Sequence, residues 1–262
     1  MENELKHKSN HTYTIIKTPT SRLFTEDVGQ LGRKKHHIKI ISEFDITQSR
    51  KSLREYKKTN RASFTSWLLK QIVTTLEQHK AIHALKYKKN KLILFDDVDI
   101  SLTVEKKYNG QLIPIPLIIR KANTKDIQEI FDEIESAKKQ VVQHEGDFVL
   151  GNDQSKIGIR FFGSLPQWLR LMIWKLILAN PHRVKKMMGT VMFTTVGMIS
   201  EASNWFIPRS IHPVCFAVSN IRKNKTEERE FLQMTILVDH DVVDGMPIAR
   251  FIRDLKKLIE QK

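Results

Sequence analysis

One cysteine, Cys215, stands in the whole 262-residue chain. An internal disulfide is therefore excluded, and this usage fits a reducing cytoplasm. The thiol lies in the apolar run "PVCFAV", which reads as a buried structural position and not a nucleophile. The N-terminal "MENELKHKSN" has no apolar signal region, so export is not expected. No uninterrupted apolar stretch approaches the ~20 residues that a membrane span needs. Internal repeats and low-complexity linkers are missing too, which leaves one large domain or two small ones.

What the chain does have is positive charge. Its net charge is +15, on a composition that is 40% apolar and 28% charged, which is that of an ordinary folded protein. Such a surface attracts anions: nucleic acid, acidic lipid headgroups, or phosphate-bearing cofactors such as coenzyme A. The basic residues are scattered in short runs, "GRKKHH", "KYKKNK" and "HRVKK", which read as solvated faces. Nucleic acid is not expected, because no recognition motif or concentrated basic face accompanies the charge.

Strand and helix patterns alternate irregularly along the chain. Residues 1–20 are polar and read as a loose arm, while "HIKIISEFDIT" reads as a strand. "QSRKSLREYKK" follows as a polar helix. "SFTSWLLKQIVTTLEQH" has helical apolar spacing behind a possible N-cap, Ser63. "KLILF", "VDISLTVEK" and "QLIPIPLIIRKA" read as strands, the last two joined at Asn109-Gly110, a strong hairpin signal. "TKDIQEIFDEIESAKKQVVQ" reads as a helix capped by Thr124. In the C-terminal third, "GTVMFTTVGM", "HPVCFAVSNIRKN" and "REFLQMTILVDH" read as strands. The helix "MPIARFIRDLKKLIEQ" closes the chain, with Ile248, Phe251, Ile252, Leu255 and Leu258 on one face. Without a regular βαβ order, this is an α+β sandwich with helices layered on a sheet.

The segment from Leu165 to Lys186 stands apart, because it packs tryptophans, aliphatics and basic residues together. Pro166 suits a helix start and Asn180-Pro181 an end. Arg170 and Lys175 make the run too charged to cross a bilayer. It reads as a packing face against the rest of the protein or a neighbouring subunit; the other reading is a basic amphipathic helix lying on a membrane.

Near the C-terminus, "LVDHDVVDGMPIARF" places His240 four residues ahead of Asp244-Gly245, between a strand and a helix. An imidazole there suits general-base work near neutral pH. The spacing alone is equally served by a polar turn in which Asp244 caps the helix and glycine allows a tight backbone.

The surrounding letters resemble the C-terminal signature of the acyltransferase components of 2-oxoacid dehydrogenase complexes, D-H-R-x-x-D-G-x-x-x-A-R-F. Asp239, His240, Val242, Val243, Asp244, Gly245, Ala249, Arg250 and Phe251 fit it in order. "GTVMFTTVG" resembles the family stretch G-T-F-T-I-S-N-L-G and sets Thr194 at the oxyanion-binding serine. "NGQLIPIPLIIRKANTKDIQEI" and "HHIKIISEFDIT" are similar to further family segments, so the resemblance covers about residues 20–262. It implies a chloramphenicol-acetyltransferase-like α+β sandwich of mixed sheet with helices packed on it, assembled as a homotrimer with active sites between subunits. It also implies coenzyme A or acyl-CoA as substrate, no metal, His240 as base, Thr194 of a neighbouring subunit as oxyanion donor, and Asp244 paired with an arginine. Arg22, in "TSRLF", is one candidate for that arginine.

The chain departs from the pattern in three places. Asp241 replaces the arginine after the histidine and reverses the local charge. The catalytic domain, 21–262, begins almost at once, so a lipoyl group is expected only from a separate protein. A basic tryptophan-containing insert at about 152–188 has no counterpart in the family pattern. The reading is an acyltransferase moving an acyl group between a thioester and a thiol or other small acceptor, expected in the cytoplasm, with 165–186 as the candidate segment for peripheral contact with a membrane. The alternative is a catalytically weak homologue serving as an oligomeric assembly or binding protein.

Overall fold

The computed structural model describes residues 13, 20–108, 111–140, 162–195, 204–224 and 226–260. Most of the polar arm, the Asn109-Gly110 turn and the first part of the insert lie outside the described residues.

Eight strands and seven helices are described. They run α1 (Thr20–Gly32), β1 (His37–Asp45), α2 (Thr47–Thr59), α3 (Phe64–Gln78), β2 (Leu85–Tyr87), β3 (Lys91–Ile93), β4 (Ile100–Tyr108), β5 (Gln111–Ile119) and α4 (Ile127–Lys139). After these come α5 (Gln167–Leu178), α6 (Pro181–Met188), β6 (Val191–Thr195), β7 (Val214–Asn224), β8 (Arg229–Asp239) and α7 (Gly245–Ile259). The main sheet has the order β1-β8-β7-β6-β4-β5, and β2-β3 form a separate hairpin. Pairing is antiparallel except at β7-β6 and β6-β4, which are parallel. This is the mixed sheet of the α+β reading.

Central strands are covered on both faces and so lose alternation: from Leu232 to Asp239 every residue of β8 is buried. One face, with Phe216, Val218, Met234, Ile236 and Val238, meets α3, α4 and α7 in the main core. Ile248, Phe251, Leu255 and Ile259 are the inward side of α7. Ile259 takes the place expected of Leu258, which is only half-buried. On the other face of β7 lies Cys215, fully buried.

Capping signals place several helix starts. Ser63 accepts from the Ser66 amide in a reciprocal capping box at α3. At α4 the cap is Asp126, paired reciprocally with Glu129, and not Thr124. Thr124 belongs to a short 3₁₀ turn, and its hydroxyl donates back to the Lys121 carbonyl. Asn180 caps α6 with Pro181 in its first turn.

Helix α5 packs one of its sides on its own chain. Leu171, Trp174 and Leu178 of α5 join a second apolar cluster with Val28 and Leu31 of α1 and Val184 and Met188 of α6. A buried ion pair fastens it: the Arg170 guanidinium donates twice to Asp27, at 2.8 and 2.9 Å, and once to the Leu165 carbonyl at 2.8 Å. Asp27 beside it holds the Arg170 pKa above its ordinary value. Gly189 then turns the chain into β6 at φ +71°, where a Cβ would come within 2.6 Å of the Asp99 carbonyl oxygen.

Candidate active site

His240 follows directly on the end of β8. Its backbone is fixed from two sides. The His240 amide donates to the His36 carbonyl at 2.9 Å, and the amides of Val242 and Val243 both turn back to the Asp239 carbonyl. Asp239, opposite His37 in the β1–β8 register, is buried. Its carboxylate accepts from Lys35 Nζ at 2.6 Å and from the Asp241 amide at 3.2 Å. One buried acid thus ties the histidine turn to the strand entry across the sheet edge.

The imidazole itself has one committed nitrogen. His240 Nδ1 is 3.1 Å from the Val243 carbonyl oxygen. A carbonyl only accepts, so Nδ1 carries the proton, and in the neutral ring Nε2 keeps its lone pair. The Asp244 carboxylate lies 3.7 Å from the same Nδ1. Both side chains face outward, His240 at 52% exposure and Asp244 at 90%.

Asp244 stands at the N-cap position of α7 without a side-chain capping bond. The expected pair with Arg22 is not formed: Arg22 is exposed on α1, and among the described residues no arginine lies within ion-pair distance of Asp244. The acid of α1 that does take an arginine is Asp27, and that arginine is Arg170.

Asp241, the residue that departs from the signature, is paired twice. It accepts from His36 Nδ1 at 2.9 Å and lies 3.0 Å from Lys86 Nζ on the β2–β3 hairpin. The bonds from His36 and Lys86 pull its carboxyl down to about 2. Lys35, His36 and Lys86, which support the turn, were missed by sequence reasoning, and Asp239 was seen there only as the aspartate that opens the D-H signature.

Thr194 lies elsewhere on the same chain. It is half-buried on β6, on the opposite face from the core residues Val191 and Phe193. Across the sheet it stands level with Ala217, and Ala217 with Thr235. The step from Thr235 on to His240 spans about 17 Å at the rise of an extended strand. One chain therefore does not bring Thr194 to its own His240.

Among the described residues, no group of three histidine, cysteine or acidic side chains is placed to hold a metal ion. A cleft of about 730 Å³, lined by Glu43, Asp45, Glu228, Arg229 and Lys256 among others, opens at the far end of β1 and β8 from His240. It is separate from the histidine turn.

Residues 16–146 and 212–262 match the family model of the 2-oxoacid dehydrogenases acyltransferase (catalytic domain). The chain belongs to this family. The acyltransferase match omits 147–211, which holds Thr194 as well as α5 and α6. Among solved structures, the fold is similar to the truncated catalytic core of the 2-oxoacid dehydrogenase multienzyme complex from Thermoplasma acidophilum. That likeness has a TM-score of 0.63 at 20% identity, over 94% of this chain and 97% of that one. Dihydrolipoamide acetyltransferase from Azotobacter vinelandii gives 0.61 at 17% identity, over 94% and 92%. A chloramphenicol acetyltransferase gives 0.51 at 10%, over 89% and 94%. At these identities the likeness establishes the acyltransferase fold and not its substrates. No curated protein matches the chain.

Proposed function

We propose that this acyltransferase moves an acyl group between coenzyme A and a small thiol or other acceptor, with His240 as the general base. The observation that carries the reading is the hydrogen bond from Nδ1 to the Val243 carbonyl, which leaves Nε2 as the accepting nitrogen. Nε2 takes the proton from the attacking thiol. The sulfur then forms a bond to the thioester carbon, and the carbonyl electrons move onto oxygen. When that oxyanion collapses, the old carbon–sulfur bond breaks. The leaving thiolate recovers the proton from the imidazolium. Asp244, 3.7 Å from Nδ1, stabilises the imidazolium between these steps.

Thr194 donates its hydroxyl to the oxyanion, and it comes from a second copy. Within one chain Thr194 stands two strands away from Thr235, itself ~17 Å along the strand from His240, and this supports the assignment. The Azotobacter relative, in which a serine, a histidine and an asparagine four residues after it have been probed for catalytic roles, has the same His-to-polar spacing as His240 and Asp244. Cores of multienzyme complexes among the similar structures support a homotrimer with sites between subunits. The acyl acceptor is a dihydrolipoyl group presented by a separate carrier protein, or a free small thiol. No metal enters any of these steps.

The test is acyl transfer from a panel of acyl-CoAs to dihydrolipoamide and to other small thiols, amines and alcohols. His240→Ala lowers turnover by about 100–10,000-fold, and Thr194→Val by about 100–1,000-fold, with the oligomer unchanged by sedimentation. Turnover that survives His240→Ala overturns the assignment of the base. No turnover by the unaltered protein with any donor and acceptor leaves the assembly role in its place.

A further inference from the structure

The helix α5 is apolar nearly all round, yet only one side of it is covered. At ~100° per residue, Arg170, Leu171, Trp174 and Leu178 fall on one side, and these meet α1 and the second cluster. Trp168, Met172, Lys175, Leu176 and Ala179 fall on the other. There Trp168 is 67%, Met172 47% and Leu176 60% exposed, and Lys175 and Ala179 are exposed as well. A tryptophan and two long aliphatics in one exposed stripe are costly unless something covers them.

Charge narrows what that something is. From Gln154 to Ser200 the sequence contains no aspartate or glutamate, while Lys156, Arg160, Arg170, Lys175, Arg183, Lys185 and Lys186 all fall within it. Arg170 and Lys185 are used internally, on Asp27 and Asp99. Lys175, Arg183 and Lys186 are exposed around the stripe and the following helix. A second copy of the stripe is a poor occupant, since a two-fold contact would set one exposed Lys175 against another. None of the described helices is long and apolar enough to cross a membrane. An apolar stripe with a tryptophan, a cationic rim and no acids is the composition of a helix that lies in the headgroup layer of an acidic bilayer.

We propose that α5 and α6 form a peripheral docking surface for an acidic lipid bilayer. Trp168, Met172 and Leu176 enter the interface, and Lys175, Arg183 and Lys186 pair with anionic headgroups. The surface is independent of the acyl-transfer reading, because neither His240 nor Thr194 belongs to it.

Flotation of the full chain with vesicles tests this, using phosphatidylcholine alone or mixed with phosphatidylglycerol. Salt is set at about 10 mM and about 1 M, where the screening length falls from about 30 Å to about 3 Å. The expected result is binding to the mixed vesicles at low salt, weakened at least about tenfold by high salt, with none to phosphatidylcholine. The paired change Trp168→Ser with Leu176→Ser lowers affinity at least about tenfold. Reversing Lys175, Arg183 and Lys186 to Glu lowers it about a hundredfold or more. Circular dichroism checks that both variants remain folded; if the paired change unfolds the chain, the charge reversals carry the test. No flotation of the unaltered protein at low salt overturns the proposal. So does wild-type binding by the serine variant, or a serine variant whose sedimentation shows a changed oligomeric state, which would make the stripe an interface between copies.

Discussion

Two histidines away from the reaction are held neutral by burial. His212 is enclosed, its Nε2–H donating to the Met188 carbonyl at 3.0 Å and its Nδ1 accepting from Ser210. His83 bonds Thr190 through Nδ1, while its Nε2 has no partner among the described residues. Desolvation lowers each from 6.5 to about 4. In the unfolded chain both take up protons as the pH falls through about 6.5, whereas the folded protein does so only near 4. The unfolded state therefore binds more protons in that window, and stability drops as pH falls across it. Above about 6.5 their contribution is complete. In urea unfolding from pH 7 to 4, His212 and His83 are expected to add up to about two protons to the slope, and His212→Gln to remove about one of them.

The α1–α5 contact illustrates what an element needs beyond its own residues. Arg170 and Asp27 are both buried and bonded to each other. Removing one partner strands the other charge, so Arg170→Ala is expected to cost about 3–5 kcal/mol in thermal or urea unfolding. Replacing both with apolar residues of similar volume is expected to cost far less, because no charge is then left buried. This pairing joins α1 to a segment far along the chain, and that distance explains why α1 was not legible in the polar letters "TEDVGQ". Helices with their own signals were legible, Ser63 at α3 and the apolar face of α7, whereas Asn180-Pro181, read as a helix end, also starts α6. Thr124 misled because two oxygen-bearing residues stood within three positions. The one aligned with an acid three residues on, Asp126 with Glu129, won.

At the scale of the whole molecule, the proposed site takes its residues from distant places in one chain. His240 and Asp244 were legible because their geometry is local: a strand end, a turn and a helix start. Their supports were not, since Lys35, His36 and Lys86 reach them only through the β1–β8 edge and the β2–β3 hairpin. Thr194 is proposed from resemblance alone, and the strand register keeps it from its own chain's histidine. A site shared between copies makes a specific forecast. Chains carrying His240→Ala and chains carrying Thr194→Ala are each inactive alone. Mixed by co-expression into random trimers, they recover roughly a quarter of wild-type turnover, because half the sites draw an intact histidine and half of those meet an intact threonine. Mixing that restores nothing would place both residues in one subunit's site or outside the site altogether.

Burial of Cys215 on the inner strand β7 has a practical reach. Its thiol is pushed up to about 12 by desolvation, and it is the sole sulfhydryl in the sequence. Thiolate is the reacting form, so a colorimetric thiol reagent added to the native protein is expected to stay silent. In the proposed assay, the same reagent can then follow coenzyme A released to amine or alcohol acceptors, where a thiol appears and none is consumed, with negligible background from the protein. When the label finally does attach, it does so because the centre of the sheet has come apart. The labelling rate under native conditions, read by mass, is thus a clock for opening of the core, set into the sequence without engineering.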